Sequence, residues 1–272
     1  MLIHCIVVYE VATMPIKYNM QETATPTIAI RLGTSAITLF PLSDGASPIE
    51  IEMKSGMSVS ANLREVLSLH SKAVSPHRSA IVLADTPTML VPEEEYTSGS
   101  VDMLYDHAFS GHEQDIKESA SLPSLRAVAL FSIPRDVKTV VADHFTSVRY
   151  LPVCQPVWHH YSRQSYPMVR QRMFCYFHDG KVDLFATSGQ RVKFCNAFSA
   201  THPHDAVYYM LNAFSQSGMK PERDELILLG TTPQLSWISD NLGKYVKNVS
   251  ASDDNSNQPY PLDLLLLKTE SK

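Results

Sequence analysis

Four absences narrow the field before any motif is read. No basic run occurs, and 23 Lys and Arg stand against 28 Asp and Glu for a formal net charge of −5. A nucleic-acid or anionic-membrane partner therefore gains no support. No apolar run approaches the roughly 20 residues that cross a bilayer, so membrane insertion is not expected. No Cys-x-x-Cys pair exists among Cys5, Cys154, Cys175 and Cys195, so the expectation is reduced thiols in a cytoplasmic protein. No Gly-x-Ser-x-Gly elbow occurs, which discounts a nucleophilic hydrolase.

The remainder is ordinary for a globular chain of 272 residues, 44% apolar and 19% charged, long enough for one large domain or two modest ones. Leu2–Val11 is apolar but contains His4 and Glu10 and lacks a basic segment ahead of it, so it makes a poor signal peptide. It reads either as an edge strand or as residues translated from a start codon upstream of Met14 or Met20.

What is present is a pattern that occurs twice: a trio of strands, an amphipathic helix and a short strand. In the first copy Thr27–Arg31 and Ala36–Leu42 flank the Gly33-Thr34-Ser35 turn. The turn Ser43-Asp44-Gly45 leads to an alternating strand at Ile49–Met53. A helix near Ser60–Ser71 carries Leu63, Val66 and Leu67 at helical spacing, with Ser58, Ser60 or Asn62 as its cap. Ser79–Ala84 has no alternation and reads as a strand covered on both faces.

In the second copy Arg172–His178 and Lys181–Thr187 flank Asp179-Gly180, a two-residue turn of the kind that needs positive φ. Ser188-Gly189 turns into Gln190–Phe198. The next helix is the best signalled: Thr201 or His202 to cap it, Pro203 in its first turn, a stripe of Val207, Met210, Leu211 and Phe214, and Gly218 to end it. Asp224–Gly230 is a buried strand.

Around these copies, Met89–Val91 is a short strand and Pro92 opens a helix through Glu93-Glu94-Glu95. Residues 110–121 are polar and read as a loop. Arg126–Ser132, a helix begun by Pro134 and Val148–Val153 make a βαβ unit, followed by a helix or irregular connector over Cys154–Tyr166. Pro233–Leu242 reads as a helix and Tyr245–Val249 as a strand. Residues 250–259 are expected to form a flexible loop, and Leu262–Leu267 an edge strand. The boundaries expected are an N-terminal extension at 1–25, one subdomain at 26–165 and another at 166–272.

Taken together, Ile28-Ala29-Ile30-Arg31-Leu32-Gly33-Thr34-Ser35, Phe194-Cys195-Asn196-Ala197-Phe198, Asp205–Leu211 and Pro221–Gly230 resemble the actin, heat-shock chaperone and sugar-kinase superfamily. Within it they are similar to a bacterial family of unknown function with an actin-like ATPase fold, and distantly to the actin-like assembly proteins of type IV pili. The resemblance covers nearly the whole chain from about residue 26. It implies an α/β, actin-like (ribonuclease H-like) fold: two related β-β-β-α-β-α-β-α subdomains around a cleft that holds ATP.

Active members carry an Asp and then Gly-Thr in the first hairpin, the carboxylate organising the water shell of Mg²⁺. Here Gly33 and Thr34 are present, but Arg31 stands at the Asp position. A guanidinium offers only donors and a permanent positive charge, so it cannot ligate a metal. The expectation for Arg31 is an ion pair on a partly exposed strand. The second phosphate loop is reduced to Asp179-Gly180, with Asp179 as a turn former. The adenosine segment keeps one Gly, Gly230, which either lets a ligand approach or ends a strand.

The residues that would line a vestigial nucleotide cleft are Arg31, Gly33, Thr34, Ser35 and Gly230. No catalytic residue and no metal ligand stand out. The expected function is a non-catalytic scaffold that engages an unknown protein partner and needs no cofactor. The alternative is an ATP-binding switch or weak ATPase, using ATP and Mg²⁺. His159-His160 with Cys154, and His202-x-His204 with Cys195, match no usual zinc spacing. Trp158, Tyr161, Tyr166, Tyr208 and Tyr209 are expected to pack where the two halves meet.

Overall fold

The computed structural model describes residues 26–43, 45–164, 170–189, 191–252 and 260–270. The expectations for residues 1–25, Asp44, Tyr166, Gln190 and 253–259 lie outside these. A first sheet contains β1 (Thr27–Leu32), β2 (Ala36–Pro41), β3 (Ile49–Glu52), β4 (Ser79–Ala84) and β8 (Ser147–Pro152), ordered β3-β2-β1-β4-β8. A second contains β9 (Arg172–His178), β10 (Lys181–Ser188), β11 (Arg191–Ser199), β12 (Glu225–Gly230) and β13 (Asn248–Ala251), ordered β11-β10-β9-β12-β13. The two orders match position for position. In each, the central strand runs antiparallel to its hairpin partner and parallel to the next strand.

β1, β4, β9 and β10 are buried nearly throughout because helices cover their faces, which is why the first three are mostly apolar and show little alternation. In the first half α1 (Val59–Leu69) and α4 (Arg135–Ala142) do this, through Leu63, Val66, Leu67, Val137, Val140 and Val141. In the second half α6 (Pro203–Gln216) and α7 (Leu235–Leu242) do it, through Met210, Phe214, Ile238 and Leu242. Ser58 caps α1, its side chain accepting from the Ala61 N–H, and His202 caps α6. A one-turn helix, α2 (Ser71–Val74), follows α1.

Between β4 and β8 the first half carries a further antiparallel sheet, β5-β7-β6, made of β5 (Met89–Pro92), β6 (Ile116–Leu122) and β7 (Ala127–Ile133). It includes α3 (Val101–Ala108), whose fully buried Tyr105 donates to the Pro87 carbonyl. This region holds two corrections. Residues 116–122 form β6 rather than loop: the strand is polar because it lies at a sheet edge with one face exposed. Glu93-Glu94-Glu95 form turns, closed by the Glu95 N–H on the Pro92 carbonyl and the Tyr96 N–H on the Glu93 carbonyl, so the helix starts only at Val101. The expected βαβ unit does not form, because β7 lies in this smaller antiparallel sheet and β8 in the first sheet; β7 begins at Ala127, where Arg126 before it takes a left-handed conformation with φ 48°.

α5 (Gln155–Gln164) and α8 (Leu262–Glu270) join the halves. α8 is the main correction, since an edge strand is expected at Leu262–Leu267. Its leucines divide between two cores: Leu264 and Leu267 enter the core of the first sheet, while Leu262 and Leu266 pack with Trp158, Phe174 and Leu229. A helix covered on two sides shows no single apolar stripe. Trp158 and Tyr161 pack in this junction as expected, but Tyr208 is 64% exposed on α6 and Tyr209 stacks on Phe198 instead. The last strand begins at Asn248 rather than Tyr245, whose N–H closes the end of α7 on the Leu242 carbonyl.

Candidate functional site

The carboxyl ends of β1, β4, β9 and β12 converge where the halves face each other, the usual place for a site in α/β sheets. In the β1–β2 hairpin the closing residues are Gly33 and Ala36, joined by the Gly33 N–H on the Ala36 carbonyl. In the β9–β10 hairpin they are His178 and Lys181. Two residues before each closing position stand Arg31 and Tyr176. Both reach Asp263 in the first turn of α8: Arg31 Nε donates to its Oδ2 at 2.8 Å and Tyr176 Oη donates to the same oxygen at 2.9 Å. Asp263 is fully buried, and its Oδ1 has no partner among the described residues.

Arg31 also crosses to the second hairpin, where Nη2 donates to Asp179 Oδ2 at 2.6 Å. His178 extends the chain of charges. Its Nδ1 lies 3.0 Å from Asp179 Oδ2 and its Nε2 2.8 Å from Asp183 Oδ2. A ring with carboxylates at both nitrogens is satisfied only as the imidazolium, which donates twice. Burial alone would lower the His178 pKa; the Asp183 charge and the hydrogen bonds to Asp179 and Asp183 reverse this and raise it from 6.5 to about 10. The His178 ring stacks on Tyr176 at 4.7 Å.

Asp179 is pushed up by burial, but hydrogen bonds from His178 and Arg31 prevail and hold its carboxyl well below the usual range. Burial also works against the Arg31 charge, and the carboxylates of Asp263 and Asp179 more than compensate, holding its pKa well above the usual guanidinium value. Asp183, His178, Asp179, Arg31 and Asp263 thus alternate in sign across the junction. A parallel link joins Lys181 Nζ to Asp85 Oδ2 at 2.8 Å, and Thr34 Oγ1 donates to the same oxygen at 3.1 Å.

The ion-pair expectation for Arg31 meets a pair that is buried, with the residue 4% exposed. Gly33 lies against that pair: a Cβ there would stand 2.7 Å from Arg31 Nη1 and 2.9 Å from Asp179 Oδ1. Gly230 has φ 74°, and a Cβ there would stand 2.3 Å from the Phe177 carbonyl oxygen, so the contact that excludes a side chain is internal to the sheet. Asp179 has the left-handed turn conformation, φ 46°, and carries the cross-cleft ion pair as well. Sequence reasoning missed Asp85, Tyr176, His178, Lys181, Asp183 and Asp263. The Asp179–His178–Asp183 spacing was visible, but nothing tied it to residues in the other half.

Two cavities flank the Arg31–Asp179 pair. One, of about 320 Å³, is lined by Arg31, Ser35, Tyr176, Gly230, Thr231 and Tyr260 among others. The other, of about 540 Å³, includes Thr34, Asp85 and Lys181. The candidate residues therefore fall on both sides: Arg31, Ser35 and Gly230 in the first, Thr34 in the second.

Asp85, His178 and Asp179 present ligand atoms within 4.8 Å of one another, a separation compatible with a shared cation. Those atoms already face Lys181, Arg31 and the imidazolium. Mg²⁺ demands carboxylate or water oxygens in near-octahedral array, and a guanidinium at the Arg31 position supplies none. The donor set therefore does not fit Mg²⁺. His202 and His204 meet each other, Nδ1 to Nδ1 at 3.3 Å, on the exposed start of α6.

The chain matches, over residues 19–249, the model of a family described as protein of unknown function DUF3822. No curated protein matches it. It is similar to a Bacteroides thetaiotaomicron VPI-5482 protein with an actin-like ATPase fold and unknown function, at 21% identity and TM-score 0.79, over 92% of this chain and 98% of that one. It is also similar to a chain of the PilM-PilN type IV pilus biogenesis complex, at 12% identity and TM-score 0.53, over 84% of this chain and 88% of that one. At these identities the likeness establishes the fold, and the fold is the actin-like one expected.

Proposed function

We propose, for a chain that belongs to the DUF3822 family of proteins of unknown function, a role as a non-catalytic scaffold or interaction protein on a degenerate actin-like ATPase fold. The observation that carries this reading is the Arg31 pair with Asp179 and Asp263. Phosphoryl transfer depends on positioning Mg²⁺ and the phosphates. In this chain Arg31 of the first hairpin is bonded across the cleft to Asp179 at the tip of the second. Breaking that contact uncovers a buried cation and a half-buried carboxylate, which is costly.

In this reading the two halves, residues 26–165 and 166–272, are duplicated subdomains held together in the cytoplasm to present a fixed surface to a protein partner. The PilM-PilN complex supports a protein partner only by analogy of fold. The smaller cavity favours a second reading, an ATP-binding switch, because Arg31, Ser35 and Gly230 line it beside Tyr260.

A phosphate-release assay on purified protein separates scaffold from enzyme. The scaffold reading expects release with ATP and Mg²⁺ no faster than the buffer rate, unchanged in Asp179→Asn. Mg²⁺-dependent turnover that Asp179→Asn abolishes would overturn it.

A further inference from the structure

The larger cavity lies on the other side of the Arg31–Asp179 pair from the face where Gly230 and Tyr260 stand. Its wall is largely apolar and includes Phe109, Val153, Trp158 and, from β11, Cys195 and Ala197. Its volume of about 540 Å³ is within the usual range for small-molecule sites, roughly 300–1,000 Å³. An apolar chamber with a few convergent polar groups at one end is the usual form of such a site.

The polar end has a specific character. Lys181 and Asp85 meet there at 2.8 Å, and the Lys181 side chain is 33% exposed. One ammonium proton serves Asp85, and the other two make no hydrogen bond among the described residues. Asp85 Oδ2 takes both Lys181 and Thr34, while Oδ1 makes no hydrogen bond among the described residues. Asp179 and Asp183 also line the cavity but are paired with Arg31 and His178, which leaves Lys181 and Asp85 as the cation and anion side by side at the mouth of an apolar chamber.

A ligand with a single charge meets one favourable and one opposing group at this mouth. A zwitterion meets both favourably, its ammonium on Asp85 and its carboxylate on Lys181. We propose that this cavity binds a zwitterionic α-amino acid with a large apolar or aromatic side chain, head group on the Asp85–Lys181 pair and side chain beside Phe109 and Trp158. The proposal is independent of nucleotide binding, since the two cavities lie on opposite sides of the ion pair.

Calorimetric titration of the full chain with L-phenylalanine tests it, with 3-phenylpropionate and phenethylamine as analogues lacking the ammonium or the carboxylate. Phenylalanine binds saturably and each analogue at least about tenfold more weakly, because each leaves one group of the pair facing an unmatched ligand. Asp85→Asn weakens phenylalanine binding by a similar factor. Since Asp85 also bridges the halves, a second variant is needed: Ala197→Trp, on an exposed residue of the lining, fills the cavity. It abolishes binding while circular dichroism and melting temperature stay unchanged. Absence of binding at about 10 mM phenylalanine, equal binding of the three compounds, or full binding by Ala197→Trp would each overturn the proposal.

Discussion

The two central hairpins share one plan and carry different chemistry. In both, the strand is apolar and buried, and one polar side chain two residues before the closing position reaches Asp263. In the first half that residue is Arg31, a permanent cation; in the second it is Tyr176, a neutral donor. The second hairpin then adds Asp179 at its tip and receives Arg31 across the cleft. The common strand order is thus set by apolar positions that tolerate many sequences. The contact between the halves is set by a few polar residues that differ from one half to the other.

The strongest way to break this comparison is to delete the charge on one side. Arg31→Met leaves Asp179 and Asp263 without their shared partner, and removal of one member of a buried pair costs about 3–5 kcal/mol. Tyr176→Phe removes only one hydrogen bond to the same carboxylate, about 1.5–3 kcal/mol. Urea denaturation of both variants orders them; equal losses would show that Asp263 does not depend on the Arg31 charge.

A smaller effect separates the two glycine roles. Gly230→Ala meets the Phe177 carbonyl and a left-handed backbone at once, whereas Gly189, with φ 61°, has open space around its α-carbon. Gly189→Ala is expected to cost about 1–2 kcal/mol from conformation alone, and Gly230→Ala clearly more. Matching melting temperatures would contradict the close approach at Gly230.

The pH profile sharpens the same contrast. His178 has a raised pKa, about 10, so its contribution is complete below the usual 6.5 and is lost as pH rises toward 10. Asp179 is held low, so its contribution is present above the usual carboxylate range and is lost on acidification below it. Stability is therefore greatest from about pH 4 to 6.5 and declines on the alkaline side. The urea midpoint falls between about pH 6 and pH 9.5, and His178→Asn flattens that decline. A wild-type profile that rises over this interval would refute the doubly bonded imidazolium. The smallest effect is expected at Tyr208→Ala, a 64% exposed side chain, within about 0.5 kcal/mol of wild type.

The sequence shows where the apolar strands and the helix stripes lie, because burial imposes a local pattern. Thr27–Leu32, Ser79–Ala84 and Pro203–Gln216 could be located for that reason. α8 could not, since it is buried from two directions and its leucine run has no period. The polar β6 could not, since an edge strand needs few apolar residues. The site was legible only as an anomaly, Arg31 where the resemblance implies an Asp. Its partners lie 148 and 232 residues away in the chain, a separation that no local spacing reveals.

The central claim is that the cleft is closed by its own ion pair and is not a magnesium–nucleotide site. Isothermal titration of purified protein with ATP and Mg²⁺ tests it most directly. The account predicts no saturable heat up to about 1 mM ATP. A stoichiometric isotherm with a dissociation constant near about 1 μM, weakened when Mg²⁺ is withdrawn, would contradict it.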